Sequence, residues 1–247
     1  MNELRGMPVV NAMSEDLKMR IDGLKDKGII PKLAVVRVGA KEDDIAYEKG
    51  IIKRFSALGG IVDVIELPES VQQEDLEATI TSLNQDDFVH GILLFRPLPK
   101  HLSEDKIKYL IDAEKDVDCL GQINLARVFS GDKHCFPPCT AQAVMEILNH
   151  YNIDLTGKKV TVVGRSIVVG RPLSMLLLGK NATVTICHTK TQNLSDECRK
   201  ADILIACAGK AKMITRVYTN PSQIVLDVGI NFEDGKLCGD IDFENVA

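Results

Sequence analysis

Two stretches of this 247-residue sequence carry residue types at spacings that could do chemistry. In the first, "KKVTVVG" (158–164) runs straight into "GRSIVVGRPLSMLLL". A glycine turn between a strand and a helix is where an α/β dinucleotide fold places its phosphates, because backbone N–H groups and the helix dipole favour an anion there. The spacing is Gly164, five residues, then Gly170, which is not G-x-G-x-x-G, so tight strand-to-helix packing explains the turn equally well. A serine-hydrolase elbow is excluded, since G-x-S-x-G needs a glycine where Val168 stands. The next β-branched run, "ATVTIC" (182–187), ends in "CHTKT", at the place where an NAD-binding lobe carries an acid for the ribose 2′-hydroxyl. Here Thr189, Lys190 and Thr191 follow, with Arg165 in the turn. These groups suit a 2′-phosphate, so NADP is favoured over NAD.

The second stretch is "DIAYEKGIIKRF" (44–55), which reads as a helix with one tyrosine and several basic side chains. At about 100° per residue, positions 50, 51 and 54 share the face of Tyr47, whereas Lys49 and Lys53 do not. One turn on from the tyrosine stands Ile51. Taken alone, the pattern also fits an amphipathic helix with a solvated basic flank.

These residues must be positioned by larger elements. Short β-branched runs at 32–39, 61–68 and 90–95 alternate with helix-like stretches at 43–58, near 71–84 and at 103–112. Beyond Pro137 and Pro138 the pattern restarts, with a helix capped by Thr140 and running through His150. Further strand-like runs follow at 158–164, 182–187, 201–209 and 223–229. Strands covered on both faces of parallel sheets, with helices between them, are expected. The fold class is therefore α/β in two lobes, residues 1–138 and 139–247, the second a Rossmann-type lobe with a parallel sheet.

Composition narrows the function. A net charge of −5 argues against nucleic-acid binding, and no apolar run reaches membrane-spanning length. The N-terminus "MNELRGMPVV" lacks a signal-peptide core, so a cytoplasmic protein is expected. Seven cysteines without a C-x-x-C pair suit buried reduced thiols better than disulfides. The group His134, Cys135 and Cys139 lacks a second pair at ligand spacing, so no metal is expected.

The motifs taken together resemble the methylenetetrahydrofolate dehydrogenase/cyclohydrolase family. "TVVGRSIVVGRPLSMLLLGKNATVTICHTKT" is similar to its V-V-G-R-S-x-I-V-G-x-P turn and N-A-T-V-T-x-C-H-S strand end. "HGILLFRPLPKHL" resembles G-I-L-V-Q-L-P-L-P-x-H, "EKDVDCLG" resembles K-D-V-D-G, and "PPCTAQAV" resembles P-C-T-P-x-G. "LDVGIN" and "GDIDF" match the end of the cofactor lobe. The resemblance implies an N-terminal folate-binding lobe, a Rossmann NAD(P) lobe and a cleft between them. It also implies NAD(P)-linked oxidation of 5,10-methylenetetrahydrofolate and a homodimer.

Carried over by position, the resemblance puts Gly164, Arg165, Ser166, Thr189 and Ile230 at the cofactor, with Ile230 beside the nicotinamide. It puts Tyr47, Phe95, Pro97, Leu98 and Asp118 at the folate, with Tyr47 and Asp118 as catalytic-site residues. Tyr47 would stack on the aminobenzoate ring and Asp118 would accept the pterin's N–H groups; without the resemblance, Asp118 reads as a loop-capping acid. Two departures bear on mechanism. The lysine and glutamine held responsible for hydrolysis in bifunctional members are Ile51 and Phe95 here. The resemblance therefore implies a dehydrogenase with weak or absent cyclohydrolase activity. Family chains also continue beyond "GDIDF", whereas this sequence stops at Ala247, which leaves open whether the chain is truncated there. A two-lobe dehydrogenase of the shikimate type and a non-catalytic folate or nucleotide binder are the competing readings.

Overall fold

The computed structural model describes residues 3–233 and 235–246. The chain forms two compact units. The first spans Met7–Arg127 with His134–Pro137, and the second runs from Pro138 onward with the segment before Met7 and Val128–Lys133.

In the first unit α1 (Gly6–Lys25) leads into β1 (Lys32–Val38), α2 (Glu42–Ala57) and β2 (Ile61–Leu67). Then come α3 (Gln73–Gln85), β3 (Gly91–Leu94), α4 (Glu104–Leu110) and most of α5 (Gln122–Ser130). The sheet is parallel in the order β2-β1-β3, with Val36 registered on Ile65 at one side and on Leu94 at the other. Successive side chains of β1 go to opposite faces. Ala34, Val36 and Val38 join Ile92 and Leu94 of β3, Leu76 and Ile80 of α3 and Ile107 of α4 in one core. Full burial of each such Leu, Ile or Val stabilises by roughly 1.5–3 kcal/mol. The helix α2 is favoured locally by Glu42, Asp43 and Asp44 in its first turn and Arg54 in its last, which complement the helix dipole.

The second unit comprises α6 (Cys139–His150), β4 (Lys159–Val163), α7 (Gly170–Leu178), β5 (Thr183–Cys187), α8 (Leu194–Arg199), β6 (Ile203–Ala206) and β7 (Ile224–Asp227). A hairpin of β8 (Asn231–Glu233) and β9 (Lys236–Cys238) and the short α9 (Phe243–Val246) close it. The parallel sheet has the order β5-β4-β6-β7. Val160, Val162, Ile203 and Ile205 face α6 and α7, while Val163, Leu204 and Ala206 face a second cluster with Cys187, Cys198 and Ile214.

Three expectations need correction. Thr140 lies inside α6 rather than capping it; Pro138 holds the N-cap position and no side chain caps that end. The ring of Pro138 presets the backbone there, and proline has no N–H of its own to satisfy. The strands β2 and β5 are not covered on both faces, since they form sheet edges and much of each is exposed. The cysteines are not uniformly buried: Cys139 is exposed and only Cys119, Cys187 and Cys198 are fully buried.

The loop that follows β3 in space is held by Asp116, which pairs with Ile92 as an isolated parallel bridge. Its buried carboxylate accepts the N–H groups of Leu120 and Gly121, both at 2.8 Å, and the side-chain amide of Asn124 at 3.3 Å. Replacing Asp116 with alanine strands these donors in a buried loop, at an expected cost of about 2–4 kcal/mol. The measurement is urea unfolding, with a lower midpoint at unchanged slope.

Candidate functional site

Open parallel sheets bind ligands outside the carboxyl ends of their strands, where the strand order reverses. Each unit has one such point: between β1 and β3 in the first, and between β4 and β6 in the second.

At the first, Phe95 follows β3 directly and its N–H donates to Val36 O of β1 at 2.9 Å. Tyr47 of α2 lies against it, with ring centroids 5.3 Å apart and planes inclined by 33°. Phe95 is buried, whereas Tyr47 is 61% exposed and presents a ring to solvent. Ile51, one turn along the same helix, is half-buried, and Lys53 is exposed. Arg96 Nη2 lies 3.3 Å from Asp118 Oδ2, an ion pair with both side chains mostly buried. The two acids of "KDVD" thus divide their work. Asp116 is the loop-capping carboxylate, and Asp118 is the acid left near the surface. Lys115 of the same motif is spent on three carbonyls, those of Leu83, Asn84 and Asp86, at the end of α3. Pro97 and Leu98 line an open pocket of ≈ 850 Å³ together with Lys41, Ser70, Lys100 and His101.

At the second point, Gly164 N donates to Cys187 O at 2.9 Å, which joins the glycine turn to the end of β5. Arg165 and Thr189, both exposed, therefore follow neighbouring strand ends. Gly164 has φ +142°, and a Cβ there would lie 2.3 Å from Cys207 O. A Cβ at Gly170 would lie 2.2 Å from Gly164 O. Only glycines allow this close packing of turn, strand end and helix start. Ser166 Oγ accepts the N–H groups of Val169 at 3.0 Å and Gly170 at 3.4 Å, holding the loop open ahead of α7. The thiol of Cys207 beside Gly164 is pushed up to about 11, chiefly by burial and then by the negative charge of Asp240. It stays protonated near neutral pH and is no nucleophile.

Sequence reasoning singles out Ile230 but neither of the aspartates that present it. The side chain of Asp240 is fully buried, and its carboxylate accepts the N–H groups of Ala208, Gly209 and Lys210 at 2.6, 3.0 and 2.8 Å. It also accepts the Asn231 amide at 2.9 Å. Asp227 accepts from the N–H groups of Gly229, Asp240 and Ile241. The two carboxylates bind the loops after β6 and β7 into one frame, from which Ile230 projects, 76% exposed. The signal in the sequence is the glycine beside each acid. A Cβ at Gly229 or Gly239 would meet an Asp240 or Asp227 carboxylate oxygen at 2.2 or 1.8 Å.

Comparison with known proteins agrees with this division. The family described as tetrahydrofolate dehydrogenase/cyclohydrolase, catalytic domain, matches residues 4–118, and the corresponding NAD(P)-binding domain matches residues 138–247. The chain is 54% identical over 240 residues to the bifunctional protein FolD of Clostridioides difficile, covering 97% of this chain and 84% of that protein. The crystal structure of the Campylobacter jejuni bifunctional enzyme FolD superposes with a TM-score of 0.96 at 41% identity, over 98% of this chain and 86% of that one. The Trypanosoma brucei enzyme complexed with NADP cofactor and inhibitor gives 0.90 at 31% identity, over 98% and 85%.

Gly164→Ala is expected to weaken dinucleotide binding at least about tenfold, or ~1.4 kcal/mol, because the turn must open to admit the methyl group. Calorimetric titration with the nucleotide measures it. Arg96→Leu, which supplies the family's residue, is expected to leave nucleotide affinity unchanged.

Proposed function

The chain belongs to the tetrahydrofolate dehydrogenase/cyclohydrolase family, and we propose that it works as a dehydrogenase that leaves the hydrolytic step to another catalyst. The dehydrogenase oxidises 5,10-methylenetetrahydrofolate to 5,10-methenyltetrahydrofolate with NADP⁺. The glycine cradle at Gly164 fits a pyrophosphate, and Arg165 with Thr189 and Lys190 suits a 2′-phosphate. When bound, NADP⁺ supplies the hydride acceptor.

The chain's own residues hold and orient. Tyr47 offers its exposed ring to the aminobenzoate, backed by Phe95. Asp118 accepts the pterin's N–H groups, and Pro97 and Leu98 flank the substrate. Ser166 keeps the phosphate loop open, and Ile230 presents an apolar side chain to the nicotinamide. Loss of hydride leaves a cation spread over N5, the bridging carbon and N10, and no proton need move. Alignment of donor and acceptor is the main requirement.

Hydrolysis asks for more, namely a water to be activated and protons to be managed on a tetrahedral intermediate, commonly worth ~10²–10⁴-fold. The observation that carries our reading is the Tyr47–Phe95 contact with Ile51 on the next turn. The wall that would hold the lysine and glutamine is apolar on this chain. No helix among the described residues is long and apolar enough to cross a membrane. A cytoplasmic homodimer is our reading of its setting. Phe232 and Leu237, directly opposite each other on the hairpin and 76% and 67% exposed, support burial against a second copy.

With 5,10-methylenetetrahydrofolate and NADP⁺, methenyl product is expected to accumulate one-for-one with reduced nucleotide, followed at separate wavelengths. The double variant Ile51→Lys/Phe95→Gln is expected to gain enzyme-dependent release of 10-formyltetrahydrofolate. Formation of that product by the unmodified protein faster than the spontaneous reaction would overturn the monofunctional reading in favour of a bifunctional enzyme.

A further inference from the structure

The helix that carries Tyr47 is weakly anchored by apolar packing. None of the sixteen residues of α2 is fully buried, and no side chain caps its first turn. One of its polar contacts is a largely buried ion pair. Arg37 of β1, on the strand face opposite the main core, is 4% exposed, and its Nε donates to Glu48 Oε2 at 2.8 Å. The Glu48 side chain is itself only 12% exposed. The remaining guanidinium nitrogens are occupied as well. Nη1 donates to Gly39 O, and Nη2 lies 3.1 Å from Glu66 Oε2, the cross-strand neighbour on β2. A forked guanidinium filled in this way has little freedom to turn. Arg37 is thus a rigid reference fixed to the central strand of the sheet.

Glu48 is the residue next to Tyr47, and Val36 is the residue next to Arg37. The other half of the aromatic pair, Phe95, is tied to Val36 through its own N–H. Both rings are therefore referred to adjacent residues of β1, one by a main-chain hydrogen bond and one by the buried ion pair. We propose that Arg37 and Glu48 are positioning residues for Tyr47. Their ion pair sets the rotation and height of α2 on β1, and so the 5.3 Å ring contact against which the substrate's ring stacks. The functional part of this inference rests on the folate reading of Tyr47 given above. The geometric part does not.

The test uses the full-length protein with Glu48→Ala and Glu48→Gln. Glutamine keeps the volume and one acceptor for Arg37 Nε, and so provides a folded variant should alanine unfold. With Glu48→Ala the KM for 5,10-methylenetetrahydrofolate is expected to rise about tenfold, since small misplacements of positioned groups are costly. The KM for NADP⁺ should stay within twofold, which general destabilisation would not spare. Glu48→Gln is expected to rise about threefold. A second readout needs no activity. The protein has four tyrosines, and ¹³C-tyrosine labelling with Tyr47→Phe for assignment isolates the resonance of Tyr47. Loss of the Phe95 ring-current shift in Glu48→Ala, with an intermediate value in Glu48→Gln, is the expected result. An unmoved Tyr47 resonance in both variants overturns the inference. If the unmodified protein turns over no folate, the reading of the site fails, and the resonance still decides whether Glu48 positions Tyr47.

Discussion

A carboxylate withdrawn from water needs donors, and in this protein the donors are main-chain N–H groups of the loops that form the two candidate sites. Asp240 gathers three consecutive amides after β6 and the Asn231 side chain. Asp116 gathers Leu120 and Gly121. Asp227, itself exposed, adds the N–H groups of Gly229, Asp240 and Ile241. Hydrogen bonds to an ionised acceptor are stronger than neutral ones. Loops at the carboxyl ends of parallel strands have few ladder partners of their own. The aspartates supply what the sheets cannot, and Asp118 and Ile230 lie on the loops they hold.

The same economy underlies the proposed separation of hydride transfer from hydrolysis. A frame that only orients its substrate would keep that task with Ile51 and Phe95 in place of a lysine and a glutamine. An apolar pair also strands no buried polar group, as a single exchange would. The contact of Tyr47 with Phe95 makes this part of the site apolar.

Much of this was legible in the sequence. The strands and helices followed from short β-branched runs and helical spacing. The absence of a lysine on the Tyr47 face followed from the pitch of a helix alone. What stayed hidden depends on burial and on partners distant in sequence. Whether Asp116 or Asp118 caps the loop turns on which carboxylate faces inward, and their types are identical. The pairs Arg37–Glu48 and Arg96–Asp118 join residues 11 and 22 positions apart, across elements whose docking must be known first. Thr140 looked like a helix cap because its residue type fits, yet Pro138 starts the helix two residues earlier.

The thiol of Cys207 lies where a side chain on Gly164 would have to go. Its proton is held well above physiological pH by burial. The turn thus packs against a protonated thiol, whose sulfur gives it a soft and adaptable floor.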